Sequence, residues 1–194
     1  MRALVVYCHP IEGSFCSAIR DTAVQGLQQA GHHVDVIDLS AIEFDPVMSL
    51  DEWEMYRTSK GDIPPGLEDH IALVKQAQIL VFVYPTWWSS LPAQLKGWVE
   101  RVMIYGVAYT LNGNNKVRPA LTQVKRIYIF STFGSPRWYV TFIHDNGKRM
   151  LSRALRLSTG RARATSRALH SMDTQNDENR RRFLLEIANV VSKR

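Results

Sequence analysis

Three short segments of this chain combine the residue types needed to hold a phosphorylated, flat ligand. The first reads Cys8-His9-Pro10-Ile11-Glu12-Gly13-Ser14-Phe15-Cys16 and leads from a β-branched run into a helical pattern. The first amides of a helix have no intrahelical acceptor, so such an entry binds phosphate through its N–H groups and the positive end of the helix dipole. The Ser14 hydroxyl and His9 stand ready to help, although Ser14 is equally suited to capping the helix and His9 to packing. Neither P-loop nor G-x-G-x-x-G glycine spacing occurs here. The second segment is Tyr84-Pro85-Thr86-Trp87-Trp88-Ser89-Ser90-Leu91-Pro92-Ala93. Adjacent side chains of extended backbone point to opposite sides, so at least one of the paired tryptophans should line a cleft suited to a flat ring, or else plug the edge of the core. The third, Ser131-Thr132-Phe133-Gly134-Ser135-Pro136-Arg137-Trp138-Tyr139, joins hydroxyls and a tyrosine to a glycine that lets backbone approach a ligand closely. An ordinary turn has a similar composition.

The elements that must carry these segments follow from periodicity. Short β-branched runs at Leu4 to Tyr7, Val34 to Ile37, Ile79 to Tyr84 and Ile127 to Ser131 alternate with helical patterns. That alternation predicts a doubly wound α/β fold with a parallel sheet and helices on both faces. Helices are expected from Phe15 to Ala30, stopped by Gly31, from about Leu67 to Gln76, from Pro92 to about Met103, and at the end, where Phe183, Leu184, Ile187, Ala188 and Val191 form one stripe. A fifth strand is placed at Thr165 to Met172. Ser40 to Gly66 and Leu111 to Thr122 read as long excursions beyond strand ends. In an open α/β sheet a ligand lies beyond the carboxyl ends of the strands, which is where all three segments fall.

Composition narrows the class. A length of 194 residues with 45% hydrophobic content fits one domain over residues 1–194. No apolar run approaches the ~18 residues of a spanning helix, and the N-terminus lacks the form of a signal peptide, so a cytoplasmic protein is expected. The cysteines, Cys8 and Cys16, have neither zinc nor dithiol spacing, and no metal site is expected. The formal charge of +6 is concentrated after Lys148, and no nucleic-acid partner is expected. Most of these arginines read as solvated surface. The alternative reading has some of Arg149, Arg153, Arg156, Arg161, Arg163 and Arg167 facing the cleft mouth, unlike Arg180 to Arg182.

Taken together, Cys8-His9-Pro10 with Ser14-Phe15, and Pro85-x-Trp87-Trp88-x-x-x-Pro92-Ala93-x-Leu95-Lys96-Gly97-Trp98-x-Glu100-Arg101, resemble the NAD(P)H:quinone oxidoreductase family. Phe44-Asp45-Pro46-Val47-Met48-Ser49, Gly106-Val107-Ala108-Tyr109 and Ala168-Leu169-His170-Ser171-Met172-Asp173 extend the similarity over nearly the whole chain. The resemblance implies a flavodoxin-like domain holding FAD or FMN, NAD(P)H as co-substrate, a quinone or similar acceptor, ping-pong hydride transfer and a homodimer. By position, it puts His9, Ser14, Phe15, Cys16 and Ala18 around the flavin phosphate. Pro85, Thr86, Trp87 and Trp88 fall under the isoalloxazine, and Ser131, Thr132, Phe133 and Gly134 at its pyrimidine edge. Tyr139 takes the place of a tyrosine that steadies charge on the flavin, with His144 as its partner at a spacing one residue shorter than usual. Tyr109 takes that of an aromatic that closes the substrate pocket from the other subunit, a pocket to which Trp88 also contributes. Two residues depart from the pattern: Cys16 stands where an asparagine is usual, and Phe133 where a glycine is usual. The same fold suits an electron carrier, and the same site a regulatory flavoprotein subunit associated peripherally with a membrane transporter.

Overall fold

A computed structural model describes residues 1–58 and 61–193 of the chain. Its centre is β3 (Ile79–Pro85), in which every residue is buried. A strand buried on both faces needs a continuous apolar run rather than alternation, and Ile79-Leu80-Val81-Phe82-Val83-Tyr84 is one. β1 (Arg2–Tyr7) and β6 (Arg126–Thr132) flank it, while β2 (His33–Asp38) and β7 (Arg163–Leu169) form the edges. The order β2-β1-β3-β6-β7 is parallel throughout, which is the doubly wound flavodoxin-like arrangement. Between β3 and β6, β4 (Tyr109–Leu111) and β5 (Val117–Pro119) form a separate antiparallel hairpin.

Side-chain alternation along the strands divides the core into two clusters. Ala3, Val5, Tyr7, Val81, Val83 and Phe130 face α1 (Phe15–Gln29) and α7 (Asp177–Val191). Leu4, Val6, Leu80, Phe82, Tyr84 and Ile129 face the other way. That second face is covered by α3 (Glu68–Gln76), by α4 (Ala93–Val102), and by α6 (Asn146–Arg149) with the π-helical turn Met150–Leu155 that continues it. Helices α1 and α7 approach closely at Gly26, where an added Cβ would stand 2.6 Å from Val191 Cγ2. Gly31, with φ +80°, closes the end of α1, as its position in the sequence requires.

Several expectations need correction. The last strand runs Arg163–Leu169, not Thr165 to Met172, because Ser171 turns left-handed and Met172–Thr174 forms a 3₁₀ turn. The excursion Ser40 to Gly66 contains α2 (Leu50–Thr58), and Ser59 and Lys60 within it lie outside the described residues. Leu111 to Thr122 carries the end of one hairpin strand and all of the other. A further helical segment, α5 (Arg137–Ile143) followed by α6 and the π turn, occupies a stretch for which the sequence pattern gave no element.

Helix α2 has no apolar stripe to hold it, and Glu52 is its buried residue. Ser49 Oγ accepts from the Glu52 amide at 3.2 Å while Glu52 Oε2 accepts from the Ser49 amide at 2.8 Å, a reciprocal capping box. The same carboxylate accepts from Arg101 on α4, with Nη2 to Oε1 at 2.6 Å. Gly97 lets this region seat on α4, since a Cβ there would stand 2.3 Å from the Pro46 carbonyl oxygen. Burial alone would raise the Glu52 pKa, but the hydrogen bonds from Arg101 and the Ser49 amide and the Arg101 charge outweigh it and hold the pKa below its ordinary value. A depressed folded pKa gives stability that is present above the unfolded glutamate value and lost as pH falls through the folded one. Urea unfolding should therefore show a component of stability that disappears below about pH 4. Glu52→Gln should remove that component and lower stability at pH 7 by roughly 2–3 kcal/mol, because Arg101 is left without its partner. Equal acid sensitivity in the two proteins would show that the pair does not anchor α2.

Candidate functional site

Parallel strands deliver their carboxyl ends to one edge of the sheet, and the chain leaves β1 and β3 toward opposite faces there. The crevice between them is walled by the loops after β1, β3 and β6. In the first loop Gly13, with φ +79°, turns the chain so that Ser14 becomes the N-cap of α1. Ser14 Oγ accepts from the Ser17 amide at 3.2 Å and lies 3.3 Å from the Tyr7 hydroxyl, so this side chain does cap the helix. The amides of Phe15 and Cys16 open the helix ahead of its first intrahelical acceptor and remain the donors available to an anion. His9 is tied locally, its Nδ1 accepting from the Ile11 amide at 3.1 Å, and its ring lies 6.2 Å from that of Trp87. Phe15 packs against Phe183, and Ala18 sits in the first turn of α1.

The loops are cross-linked at their roots. Cys16 Sγ lies 3.3 Å from Thr132 Oγ1, and the Thr86 amide donates to the Thr132 carbonyl at 2.8 Å. Burial pushes the Cys16 thiol up to about 11, against the lowering effect of its Thr132 hydrogen bond, so the residue is a neutral spacer rather than a nucleophile. Burial likewise pushes Cys8 up to about 11. Pro85 is buried at the end of β3. Thr86 Oγ1 is buried and has no hydrogen-bond partner among the described residues. A buried hydroxyl without a partner is uncommon, and one at the mouth of a crevice suits a ligand atom.

Beyond Thr86 the chain reverses through Trp88 and Ser89, with φ +48° and +62°, closed by the Ser90 amide donating to the Trp87 carbonyl at 3.1 Å. Two consecutive left-handed residues make a tight primed turn, for which asparagine and glycine are the favoured residues. Here the turn carries a fully exposed indole at Trp88 and a half-exposed one at Trp87.

In the third loop Ser131 and Thr132 are buried at the end of β6, opposite Tyr84 and Pro85. Phe133 stacks on His170 with centroids 5.0 Å apart and is held by amide-to-carbonyl bonds to Leu169 and from Met172. The bulk that replaces a glycine here is thus turned onto the β7 loop. Gly134 is exposed, next to Asp173 Oδ2. Tyr139 stands in the first turn of α5, partly exposed, edge-on to Trp138 at 5.9 Å. His144 is the left-handed C-cap of that helix, with φ +66°. Among the described residues no hydrogen bond joins Tyr139 to His144, so the structure does not bring these two together. His144 instead lines a cavity of about 710 Å³ beneath α5 and α6, along with His170 and a group of basic side chains. His170 was visible within Ala168-Leu169-His170-Ser171-Met172-Asp173, but its stacking partner was not.

Tyr109 lies apart from these loops. It lines an apolar groove of about 530 Å³ with Met48, Trp53, Tyr56, Met103 and Met150. Burial and then its hydrogen bond with Tyr56 push the Tyr109 hydroxyl up to about 12, so it stays protonated. Tyr56 gave no signal in the sequence because α2 was not foreseen. Among the described residues no helix is long and apolar enough to cross a membrane.

Comparison with known proteins places this architecture. A family model described as flavodoxin-like fold matches residues 1–182. An uncharacterized NAD(P)H oxidoreductase of Haemophilus influenzae is 33% identical over 136 residues, which is 70% of this chain and 65% of that protein. The NAD(P)H dehydrogenase (quinone) 1 of Cavia porcellus is 32% identical over 153 residues, 71% of this chain and 55% of that protein. The chain thus spans less than two thirds of the length of these curated relatives. Among solved structures, an NAD(P)H:quinone oxidoreductase from Methanothermobacter marburgensis superposes with a TM-score of 0.86 at 25% identity over 100% of this chain and 98% of that one. Smu.1420 from Streptococcus mutans UA159 does so with a TM-score of 0.86 at 29% identity over 99% of both chains. With its sheet order and the match across residues 1–182 in agreement, the chain belongs to the flavodoxin-like fold family.

Proposed function

We propose that this protein is a flavin-dependent oxidoreductase that moves a hydride from NAD(P)H to a quinone or a similar small acceptor. The observation that carries the reading is the meeting of the strand-end loops, where Cys16 at the open end of α1 contacts Thr132, Thr132 accepts from the Thr86 amide, His9 lies beside Trp87, and the Thr86 hydroxyl is left without a partner among the described residues. Such a donor set fits FAD or FMN: an anion at the α1 amides, and a flat ring against the loop after β3 with polar contacts at its edge. The relatives bearing NAD(P)H oxidoreductase and quinone reductase names support the choice of donor and acceptor.

In this reading a bound flavin supplies the redox chemistry, and the chain supplies placement, shielding and fixed dipoles. Phe15 and Cys16 hold the phosphate through backbone N–H groups, with His9, Ser14 and Ala18 shaping the surroundings. Pro85, Thr86, Trp87 and Trp88 would support the flat ring, with the tryptophans helping to exclude water from it. Ser131, Thr132, Phe133 and Gly134 present strand-end polar groups to the pyrimidine edge. Tyr139 would offer its hydroxyl as a hydrogen-bond donor at that edge, and would do so without His144. Donor and acceptor use one space in turn, which is a ping-pong cycle. The reading includes a cytoplasmic location, where NAD(P)H is available. The apolar groove around Tyr109, with Trp53 half exposed beside it, suits a second copy of the chain, and a homodimer would carry Tyr109 toward the partner's crevice.

Reconstituted with FAD or FMN, the protein should oxidise NAD(P)H with a benzoquinone and give parallel double-reciprocal lines. Failure to bind either flavin would end the reading. Tyr139→Phe should slow hydride uptake in stopped flow by on the order of 10²-fold while flavin affinity changes little, because an oriented donor matters most as charge develops. An unchanged rate would make Tyr139 only a wall. For the dimer, mixing a Tyr109→Ala chain with a Trp88→Ala chain should restore quinone reduction relative to either parent. No restoration would put both residues in a site built from one subunit.

A further inference from the structure

The cavity beneath α5 and α6 adjoins the crevice but is chemically different from it. Its floor is the face of β6 and β7 that presents Ile129, Ser131, Ser166 and Ala168. Ser131, near the end of β6 and in register with Tyr84, lines the cavity, which therefore reaches the strand ends that carry the crevice loops. Arg137, Lys148, Arg149, Arg153 and Arg167 stand around the cavity, with Asp145 as the lining carboxylate. Asp145 is already engaged, since its Oδ1 accepts from the Lys148 amide at 3.0 Å and caps α6. Arg167 is likewise engaged, through Nε to Glu186. Among the described residues no carboxylate lies within ion-pairing distance of Arg137, Lys148, Arg149 or Arg153, so four cations face the cavity against the single lining carboxylate of Asp145.

The backbone explains how the charges are held together. The wide π turn keeps Leu151 and Leu155 in the core while Arg149, Ser152 and Arg153 line the cavity wall. His170 registers the resulting field. Burial first, and then the charges of Arg137 and Lys148, lower its pKa against the opposing pull of Asp145. Its Nδ1 is buried and has no hydrogen-bond partner among the described residues.

The remaining arginines sort elsewhere. Arg156 donates to the Ala162 carbonyl at 2.7 Å, and Arg163 lies in a small cavity beside the end of α7. Arg180 and Arg182 are set against Asp177 and Glu178 on their own helix.

Unpaired guanidinium groups around a polar, hydroxyl-bearing cavity are the recognition chemistry of a phosphate monoester, which carries more charge than a diester and accepts bidentate bonds. We infer that this cavity holds the adenosine 2′-phosphate of NADPH and makes the protein selective for NADPH over NADH. The inference rests on the oxidoreductase reading for its donor, and on the cavity alone for its charge. The flavin's own adenylate offers similar chemistry, and the test separates the two.

Full-length flavin-loaded protein would be titrated calorimetrically with adenosine 2′,5′-bisphosphate, adenosine 5′-phosphate and inorganic phosphate. The bisphosphate should bind about tenfold or more tightly than the monophosphate, the effect of one or two charge-assisted hydrogen bonds. Both Arg149 and Arg153 are exposed, so Arg149→Gln with Arg153→Gln should leave the fold intact, as circular dichroism would verify. That pair should erase the preference and lower the NADPH-to-NADH ratio of kcat/KM by a similar factor. Arg180→Gln, Arg181→Gln and Arg182→Gln together should retain both. Bisphosphate binding no tighter than monophosphate, or a preference that survives the double substitution, would overturn the inference. So would release of FAD but not FMN by the double substitution, which would assign the cavity to the flavin's adenylate. If the loaded protein oxidises neither nucleotide, the oxidoreductase reading falls, and the bisphosphate titration still decides the cavity by itself.

Discussion

The burial of β3 on both faces is the constraint from which the rest of the molecule follows. A strand with no exposed residue must have sheet neighbours on either side and covering helices above and below. Parallel pairing sends each connection across a face and returns every carboxyl end to the same edge. Because β1 and β3 lead to helices on opposite faces, their loops diverge at the carboxyl edge of the sheet. The crevice is therefore a consequence of covering both faces of one sheet. Its walls are then fixed by bonds among the strand ends: Cys8 N to the Val83 carbonyl at 3.1 Å, Thr86 N to the Thr132 carbonyl at 2.8 Å, and Phe133 N to the Leu169 carbonyl at 2.8 Å.

Charge is arranged with equal economy. The net excess of +6 is not spread evenly over the surface. Arg101 is consumed by the Glu52 carboxylate, the Asp45 backbone carbonyl and the Phe44 ring, where it fastens α2 and the preceding chain to α4. Arg20 lies over the Tyr7 ring and pairs with Asp21 and Asp38. Such placements satisfy each cation where it stands. The edge beneath α5 and α6 does the opposite, gathering Arg137, Lys148, Arg149 and Arg153 against the one lining carboxylate of Asp145. Self-repulsion of that kind lowers the stability of the compact state, which is why its concentration next to a crevice points to a ligand rather than to solubility.

Legibility in the sequence tracked the kind of force involved. The strands Leu4 to Tyr7 and Ile79 to Tyr84 were readable because burial imposes an unbroken apolar run, and α7 because one stripe meets the sheet. Helix α2 was not readable, since a capping box and an ion pair hold it while periodicity reports only apolar burial. The segment after Pro136 hid for another reason. Val140, Gly147, Leu151 and Leu155 are its buried positions, but exposed Trp138 and Phe142, the left-handed His144 and Asp145, and the π turn break the expected phase. At the site, the residue types at the strand ends were legible and their partners were not. The Ser14 cap is local and was legible, whereas the Cys16–Thr132 contact and the Phe133–His170 stack depend on long-range approach.

The turn at Trp88 shows what the fold gives up at this edge. Left-handed backbone costs a residue with a Cβ roughly 1–2 kcal/mol, and two such residues stand in succession at Trp88 and Ser89. Glycine at either position would relieve the backbone, yet the turn carries the largest side chain available and leaves it fully exposed. Neither core packing nor solubility gains from that choice, because an exposed indole buries nothing in the free chain. The strain and the exposure have one common product, an indole whose backbone is fixed just beyond the β3 end by the Trp87–Ser90 bridge. A flexible loop would place the same indole over the crevice only part of the time and would lose conformational entropy each time a flat ligand slid beneath it. Fixing the turn in advance moves that loss into folding, so that a ring entering beside Thr86 meets a surface already in position.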